Sequence, residues 1–107
     1  MNPSFISKDL VFPLSLNYVS WNFSTLTLSG EEWFLNSEKS WSVYKGEELI
    51  FDDCIENDKI IYKTLNGLSL LHIEDFFIDL QQIIKIYFEY DISISFSGEG
   101  EFYVGKK

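Results

Sequence analysis

The fold is decided by residues 83–104, which read IIKIYFEYDISISFSGEGEFYV. Apolar side chains take nearly every second position here, which is typical of strands with one buried face and one exposed face. Residues 16–36 read LNYVSWNFSTLTLSGEEWFLN and repeat this pattern, with one extra residue near Ile92 in the second copy. The positions in register are Leu16 with Ile83, Val19 with Ile86, Trp21 with Phe88, Phe23 with Tyr90, Leu26 with Ile94, Leu28 with Phe96, Ser29-Gly30-Glu31 with Ser97-Gly98-Glu99, and Phe34 with Phe102. The sequence therefore predicts an internal repeat, 16–36 and 83–104, in which two similar β-meanders close one core.

Other β-rich runs surround the two copies. Residues 10–12 are predicted to form one short strand within an irregular arm that contains two prolines. Residues 41–44 and 48–52 flank a short glycine-containing loop, which predicts a hairpin. Residues 52–59 are polar and predict a loop.

The segment 60–82 admits two interpretations. Phe76, Leu80, Ile83 and Ile84 lie at helical spacing with Asp75 as a candidate N-cap, so one short helix is predicted either within 58–66 or within 75–83. Residues 68–73 also suit a strand, and the two predictions are compatible.

The fold class that follows is mainly β, an antiparallel β-sandwich or half-open barrel with about eight strands and at most one or two short helices. The antiparallel prediction rests on the loops, which are too short for parallel crossover connections. A chain of 107 residues with no long linker is expected to form a single domain, 1–107.

The charge of the chain is strongly acidic. Seventeen acids against eight bases give a net charge of −9, beyond the magnitude of about 2–8 usual for a small soluble domain. Such a surface repels nucleic acid and anionic membranes, so we expect neither as a direct partner. A basic protein partner is favoured instead, although acidity that only keeps the protein soluble is the alternative.

Residues and motifs typical of catalytic sites are scarce in this sequence. The one cysteine, Cys54, follows two aspartates that raise rather than lower a thiol pKa, and the one histidine, His72, lies in an apolar run. No phosphate-binding or nucleophile motif is present, and Gly98-Glu99-Gly100 precedes a predicted strand rather than a helix. We therefore expect no enzymatic activity, no metal and no cofactor.

The functional signal lies between the two copies, where acids crowd residues 47–58. A segment this dense in like charge repels itself unless something cationic meets it, although a solvated hairpin and loop is the simpler interpretation. Aromatic residues close by would suit an interface anchor. The residues predicted to bind a partner are Trp41, Tyr44, Glu47, Glu48, Asp52, Asp53, Glu56 and Asp58.

The chain resembles a group of small, acidic, β-rich bacterial proteins. These are the immunity proteins that act against polymorphic toxins, including those of contact-dependent growth inhibition. The likeness is carried by VSWNFSTLTLSGEEWFL, by IKIYFEYDISISFSGEGEFYV and by SWSVYKGEELIFDD between them. The resemblance implies binding to a cognate toxin, often a nuclease with a basic cleft, and inhibition by covering its active site or substrate surface without a cofactor.

Two classes of function are therefore expected from the sequence. The first is an immunity protein that neutralises a basic toxin in the cytoplasm, where the absence of a signal-peptide pattern would leave it. The alternative is a small-molecule-binding β module, in which the two meanders form a cup lined by aromatic side chains. The sequence leaves the oligomeric state open, because an exposed edge strand could pair two copies.

Overall fold

The computed structural model describes residues 4–56 and 58–107 as a two-layer β structure. In chain order the elements are β1 (Ser4–Ile6), β2 (Leu14–Ser15), β3 (Tyr18–Trp21), β4 (Leu26–Ser29), β5 (Trp33–Ser37), β6 (Ser40–Lys45), β7 (Glu48–Asp52), α1 (Lys59–Leu65), β8 (Ser69–Ile78), β9 (Gln81–Phe88), β10 (Ile92–Ser97) and β11 (Phe102–Lys106). Sheet A has the strand order β1-β11-β5-β4-β3, and sheet B has the order β2-β8-β9-β10-β6-β7. The prediction of a β-rich sandwich with at most two short helices is confirmed.

The core lies between the two sheets and consists of one cluster of apolar side chains. Alternation along each strand supplies it, as in β9, where Ile84, Ile86 and Phe88 are buried while Lys85 and Tyr87 face outwards. Helix α1 adds Ile61 and Leu65 to the same cluster. Apolar side chains therefore fill the space between the sheets. The alternative function, a small-molecule-binding module, predicts an aromatic-lined cup between the two meanders.

The two halves of the predicted repeat take similar strands but different arrangements. Strands β3, β4 and β5 form a meander within sheet A, whereas β9 and β10 pair in sheet B and β11 crosses to sheet A beside β5. The second copy is therefore a hairpin plus a crossing strand rather than a meander. The matched residues Phe34 and Phe102 diverge accordingly: Phe34 stacks on Tyr103, whereas Phe102 is buried.

Two of the connections that cross between the sheets, β5–β6 and β10–β11, lie side by side. The amide of Glu38 donates to the carbonyl of Glu101 at 2.8 Å, and the Lys39 ammonium donates to the carbonyl of Gly98 at 2.8 Å. A side chain at Gly100 would meet the backbone of Glu38 at 2.8 Å, so this close approach requires glycine. These contacts hold both layers in register at one end of the sandwich.

The segment 60–82 contains both a short helix and a strand. The helix forms within 58–66, as α1, and residues 69–73 of the predicted strand 68–73 enter β8. The other placement, a helix within 75–83 capped by Asp75, is wrong, because that stretch is the end of β8, a two-residue turn and the start of β9.

The N-terminal arm also differs from its prediction. Residues 10–12 form no strand, and strands lie at β1 and β2 on either side of them. Pro13, which has no N–H to give to a ladder, sits between residues 10–12 and β2. β1 pairs in parallel with β11, an exception to the antiparallel pattern. No helix among the described residues has the length and apolar character needed to cross a membrane.

Candidate protein-binding surface

The acids of residues 47–58 do not form one cluster. Glu47 and Glu48 lie at the turn between β6 and β7, whereas Asp52 and Asp53 lie at the other end of β7. A strand rises about 3.3 Å per residue, so the two groups are separated by more than 10 Å. Glu47 and Glu48 lie instead beside the β9–β10 turn, where the amide of Gly46 donates to the carbonyl of Asp91 at 2.8 Å.

Two of the predicted partner-binding acids have local structural roles. The Asp52 carboxylate accepts the amide of Cys54 at 3.0 Å, and the Asp53 carboxylate accepts the amide of Trp41 at 3.3 Å. The side chains of Glu47, Glu48 and Glu56 make no hydrogen bond or ion pair with the part of the chain that the structure describes. Asp58, the N-cap residue of α1, likewise makes no side-chain capping hydrogen bond. These four are therefore the acids of the segment whose side chains a partner can contact without breaking an internal hydrogen bond or ion pair.

The thiol of Cys54 is exposed and lies against the two aspartates. Repulsion from the Asp52 carboxylate, followed by a hydrogen bond to it, raises the pKa of Cys54. The thiol and the two carboxylates lie within 4.8 Å of one another. A thiol held in its protonated form is a poor nucleophile, in agreement with its sequence context.

The two predicted aromatic anchors occupy different places. Trp41, predicted to bind a partner, is only 1% exposed and packs edge-on against Trp21 and Phe51, so it lies in the core of the free protein. It shares a face of β6 with the buried Val43. Tyr44 faces outwards on the same strand, with the Lys85 ammonium 6.0 Å from its ring centroid.

The outer face of sheet B carries a polar cluster around Tyr87. The Tyr87 hydroxyl donates to the Glu74 carboxylate at 2.5 Å, the His72 ring stacks on Tyr87, and Lys85 lies 5.3 Å from the Tyr87 ring centroid. The hydrogen bond to Glu74, with smaller contributions from burial and charge, raises the pKa of Tyr87 to about 12. His72 is thus an outward-facing surface residue rather than part of the core.

The Tyr87–Glu74 pair predicts a specific pH dependence. A pKa raised in the folded state means that the hydrogen bond contributes stability in full below about pH 10, and that this contribution is lost as the pH rises through about 12. In Glu74→Gln we expect the Tyr87 pKa to fall towards its ordinary value of 10.0. Titration of tyrosinate absorbance measures the shift, with Tyr87→Phe identifying the signal; an unchanged titration in Glu74→Gln would contradict the assignment.

A long hairpin made by β8 and β9 extends past the core of the sandwich. Ile84 is the last fully buried residue towards its tip, and residues 76–81 are all exposed. The exposed fractions of Phe77, Ile78 and Leu80 are 66%, 56% and 98%. The cross-strand pairs place Phe77 with Gln82 on the core-side face and Ile78 with Gln81 on the outer face, so large apolar side chains are exposed on both faces.

The turn at the tip of this hairpin has an unusual sequence for its shape. Asp79 and Leu80 both have positive φ, 51° and 68°, which is the two-residue turn that favours Asn-Gly. A leucine in this conformation costs about 1–2 kcal/mol, and Leu80 is almost fully exposed. The fold gains nothing from this side chain, which makes Leu80 a candidate contact for another molecule.

The outer edge of the same hairpin is open. β2 pairs only with Ser69 and Leu70 of β8, and a bulge follows between Leu70 and His72. Leu71 is the bulge residue, and residues 72–78 pair with β9 on one side. On the other side, residues 71–78 have no strand partner within residues 4–56 and 58–107. We call residues 71–78 the free edge. An exposed apolar edge of this length is a ready template for pairing with another chain.

The sequence prediction missed this surface because its apolar residues lie on both faces. Phe76, Phe77 and Ile78 are consecutive, which destroys the alternation that marks a half-buried strand and resembles a buried helix instead. The signal that could have revealed this surface is the run of large apolar residues itself. It lies beside Glu74, Asp75 and Asp79, and a segment so rich in acids is not expected to be buried.

The surface also holds shallow depressions. One of about 280 Å³ lies beside Tyr87, Lys85 and Glu47, and another of about 350 Å³ lies near Ser15, Glu31 and Glu32. Neither coincides with the exposed apolar tip. Comparison with protein-family models, with curated proteins and with solved structures found no match to this chain.

Proposed function

We propose that this protein is an immunity protein that binds a cognate bacterial toxin with a basic surface and neutralises it by covering its active site or substrate-binding surface. The observation that carries the proposal is the projecting β8–β9 hairpin, with its free edge and its exposed Phe77, Ile78 and Leu80. Large apolar patches that the fold does not need are typical of protein–protein interaction sites.

The charge of the chain supports a basic partner. The net charge of −9 gives long-range attraction to a cationic surface, and Glu47 and Glu48 are free of internal contacts. Acids of this kind speed association, while buried apolar residues set the lifetime of the complex. In this proposal Glu47 and Glu48, which we call the acidic turn, speed the first encounter with the toxin, and the β8–β9 hairpin forms the lasting contacts of the complex. Binding takes place in the cytoplasm of the protected cell.

A growth experiment tests this function directly. The probe is the C-terminal domain of the protein encoded immediately upstream of the gene for this chain, expressed in a bacterial host with or without the chain. We expect that domain alone to stop growth and co-expression to restore it. A domain that is harmless, or that remains lethal when the chain is present and folded, would contradict the proposal.

The acidic turn gives a second expected result. Glu47→Gln with Glu48→Gln should slow association with the upstream-encoded domain by about threefold to tenfold at low ionic strength, with little effect on dissociation. Stopped-flow or surface-based kinetics measure both rates. Glu31→Gln with Glu32→Gln is the matched control, because it also neutralises two adjacent exposed glutamates in a turn. Equal slowing by both variants would remove the specific role of Glu47 and Glu48.

A further inference from the structure

We propose that the free edge of β8 binds an extended segment of the toxin as an added strand of sheet B, and that this segment carries two adjacent basic residues between apolar ones. This inference rests on the proposed function and names the surface and the chemistry of the partner. Strand addition at an exposed edge supplies main-chain hydrogen bonds, while alternate side chains supply specificity.

The backbone of the free edge is suited to this role. Residues 71–78 are strand throughout, and only one side of them is paired. Along such an edge about half of the residues direct their N–H and C=O groups outwards, where a new strand can pair with them. The bulge after Leu70 ends the pairing with β2 and so leaves the rest of β8 accessible.

The side chains of the free edge specify the pattern of the incoming strand. On the outer face Glu74 lies between His72 and Phe76, and on the core-side face Asp75 lies between Ile73 and Phe77. Residues directly opposite each other on paired strands share a face, and opposite charges there are favourable. Each face therefore accepts one basic residue flanked by apolar residues. Because Glu74 and Asp75 are consecutive, the two basic residues are consecutive as well.

The contacts of these two acids support a basic strand. Asp75 is exposed and has no hydrogen bond or ion pair with any described residue. Glu74 accepts from Tyr87 and faces Lys85 across the ladder, and its second oxygen lies 4.0 Å from the His72 ring nitrogen. A cation opposite Asp75 thus meets an uncompensated charge, and one opposite Glu74 joins an existing network.

A second copy of this chain fits the free edge less well. Antiparallel self-pairing centred on Glu74 or on Asp75 places the same acid of the two copies directly opposite each other, and like charges directly opposite are destabilising. Each copy also brings a net charge of −9. The exposed Phe77 and Leu80 are consequently assigned to a partner of opposite charge rather than to a dimer.

The test uses the full chain and two blocked peptides. The first has two adjacent lysines at its centre and three valines on each side, and the control has two glutamates in place of the lysines. Backbone amide NMR signals of the labelled protein report where each peptide binds. We expect the lysine peptide to shift signals within residues 71–80 and to bind about tenfold or more tightly than the control.

Charge reversal sharpens the same experiment. Asp75→Lys should abolish the preference between the two peptides, because Glu74 then stands beside a side chain of opposite charge. The fold should persist, since the Asp75 side chain is exposed and makes no hydrogen bond or ion pair with a described residue. Glu99→Lys is the matched control, an equal change of charge in the exposed loop before β11. Loss of preference in both variants alike would mean that only net charge matters.

The outcomes separate this inference from the proposed function. Shifts confined to residues 46–58, no shifts with either peptide, or self-association of the free protein through residues 71–80 would each overturn the edge assignment. If the peptide binds the free edge but the chain does not neutralise the upstream-encoded domain, the function fails alone. If that domain is neutralised while it and the lysine peptide leave the β8 signals unchanged, the edge assignment fails alone.

Discussion

Phe77→Ser combined with Leu80→Gly is expected to weaken binding to the upstream-encoded domain by about 100-fold to 1,000-fold. Fully burying a large apolar side chain contributes about 1.5–3 kcal/mol, and contacts of this kind dominate protein interfaces. Phe77 and Leu80 are 66% and 98% exposed in the free protein, so both are available for burial. Titration calorimetry gives the affinity, and the growth assay gives the loss of protection.

The same variant should not weaken the fold. Glycine adopts the positive φ of Leu80 without steric cost, so Leu80→Gly by itself is expected to raise the free energy of unfolding by about 0.5–1 kcal/mol. A substitution that stabilises the protein and abolishes binding identifies a side chain kept for contact rather than for folding. This pattern of opposite signs cannot arise from partial unfolding.

Matched controls are available elsewhere in the chain. Tyr90→Gly relieves positive φ in the β9–β10 turn, and Val11→Ser removes an apolar side chain that is also exposed. Both should leave the affinity unchanged. An affinity of the Phe77→Ser, Leu80→Gly variant within threefold of wild type would show that the hairpin tip lies outside the interface.

The largest expected effect on stability comes from Gly30→Ala. A side chain there would lie 1.9 Å from the carbonyl oxygen of Ser15 and 2.6 Å from the indole nitrogen of Trp33. That nitrogen donates to the same carbonyl at 2.7 Å, and Trp33 is fully buried. The added methyl must push β2 away from the turn before β5 and break this partly buried hydrogen bond. We expect the free energy of unfolding to fall by about 3–5 kcal/mol.

Chemical denaturation of Gly30→Ala and Gly98→Ala separates the close approach from the backbone effect. Gly98 has a φ of 86° and no atom within 4 Å of the added carbon, so alanine there should cost only about 1 kcal/mol. If the two variants were equally stable, the contact between Ser15 and Trp33 would not hold the sheets together as described.

Much of the sandwich was predictable because its strands alternate cleanly. Ile84, Ile86, Ile94 and Phe96 occupy alternate positions and fill the core between the sheets. The distribution of strands between the two sheets was not predictable from that alternation. Alternation shows which face of a strand is buried but not which strands pair with each other. The crossing of β11 to sheet A depends on contacts of Gly100 with Glu38, which are distant in sequence.

The candidate site was less predictable than the fold. The sequence shows that residues 47–58 are rich in acids, but a count of charges says nothing about the distances between them. Glu48 and Asp52 lie at opposite ends of β7, so the acids form two groups. Trp41 could have been recognised as buried, since it lies two residues from Val43 on one strand and so shares its face. The hairpin tip was hidden because Asp79-Leu80 lacks the glycine that normally marks such a turn.

Hydrogen exchange on the full chain, alone and bound to the upstream-encoded domain, tests the central claim most directly. We expect binding to slow exchange at residues 71–78, since backbone groups that face water in the free protein become paired with the incoming strand. Slower exchange confined to the acidic turn around Glu47 and Glu48, with residues 71–78 unchanged in a stable complex, would contradict it.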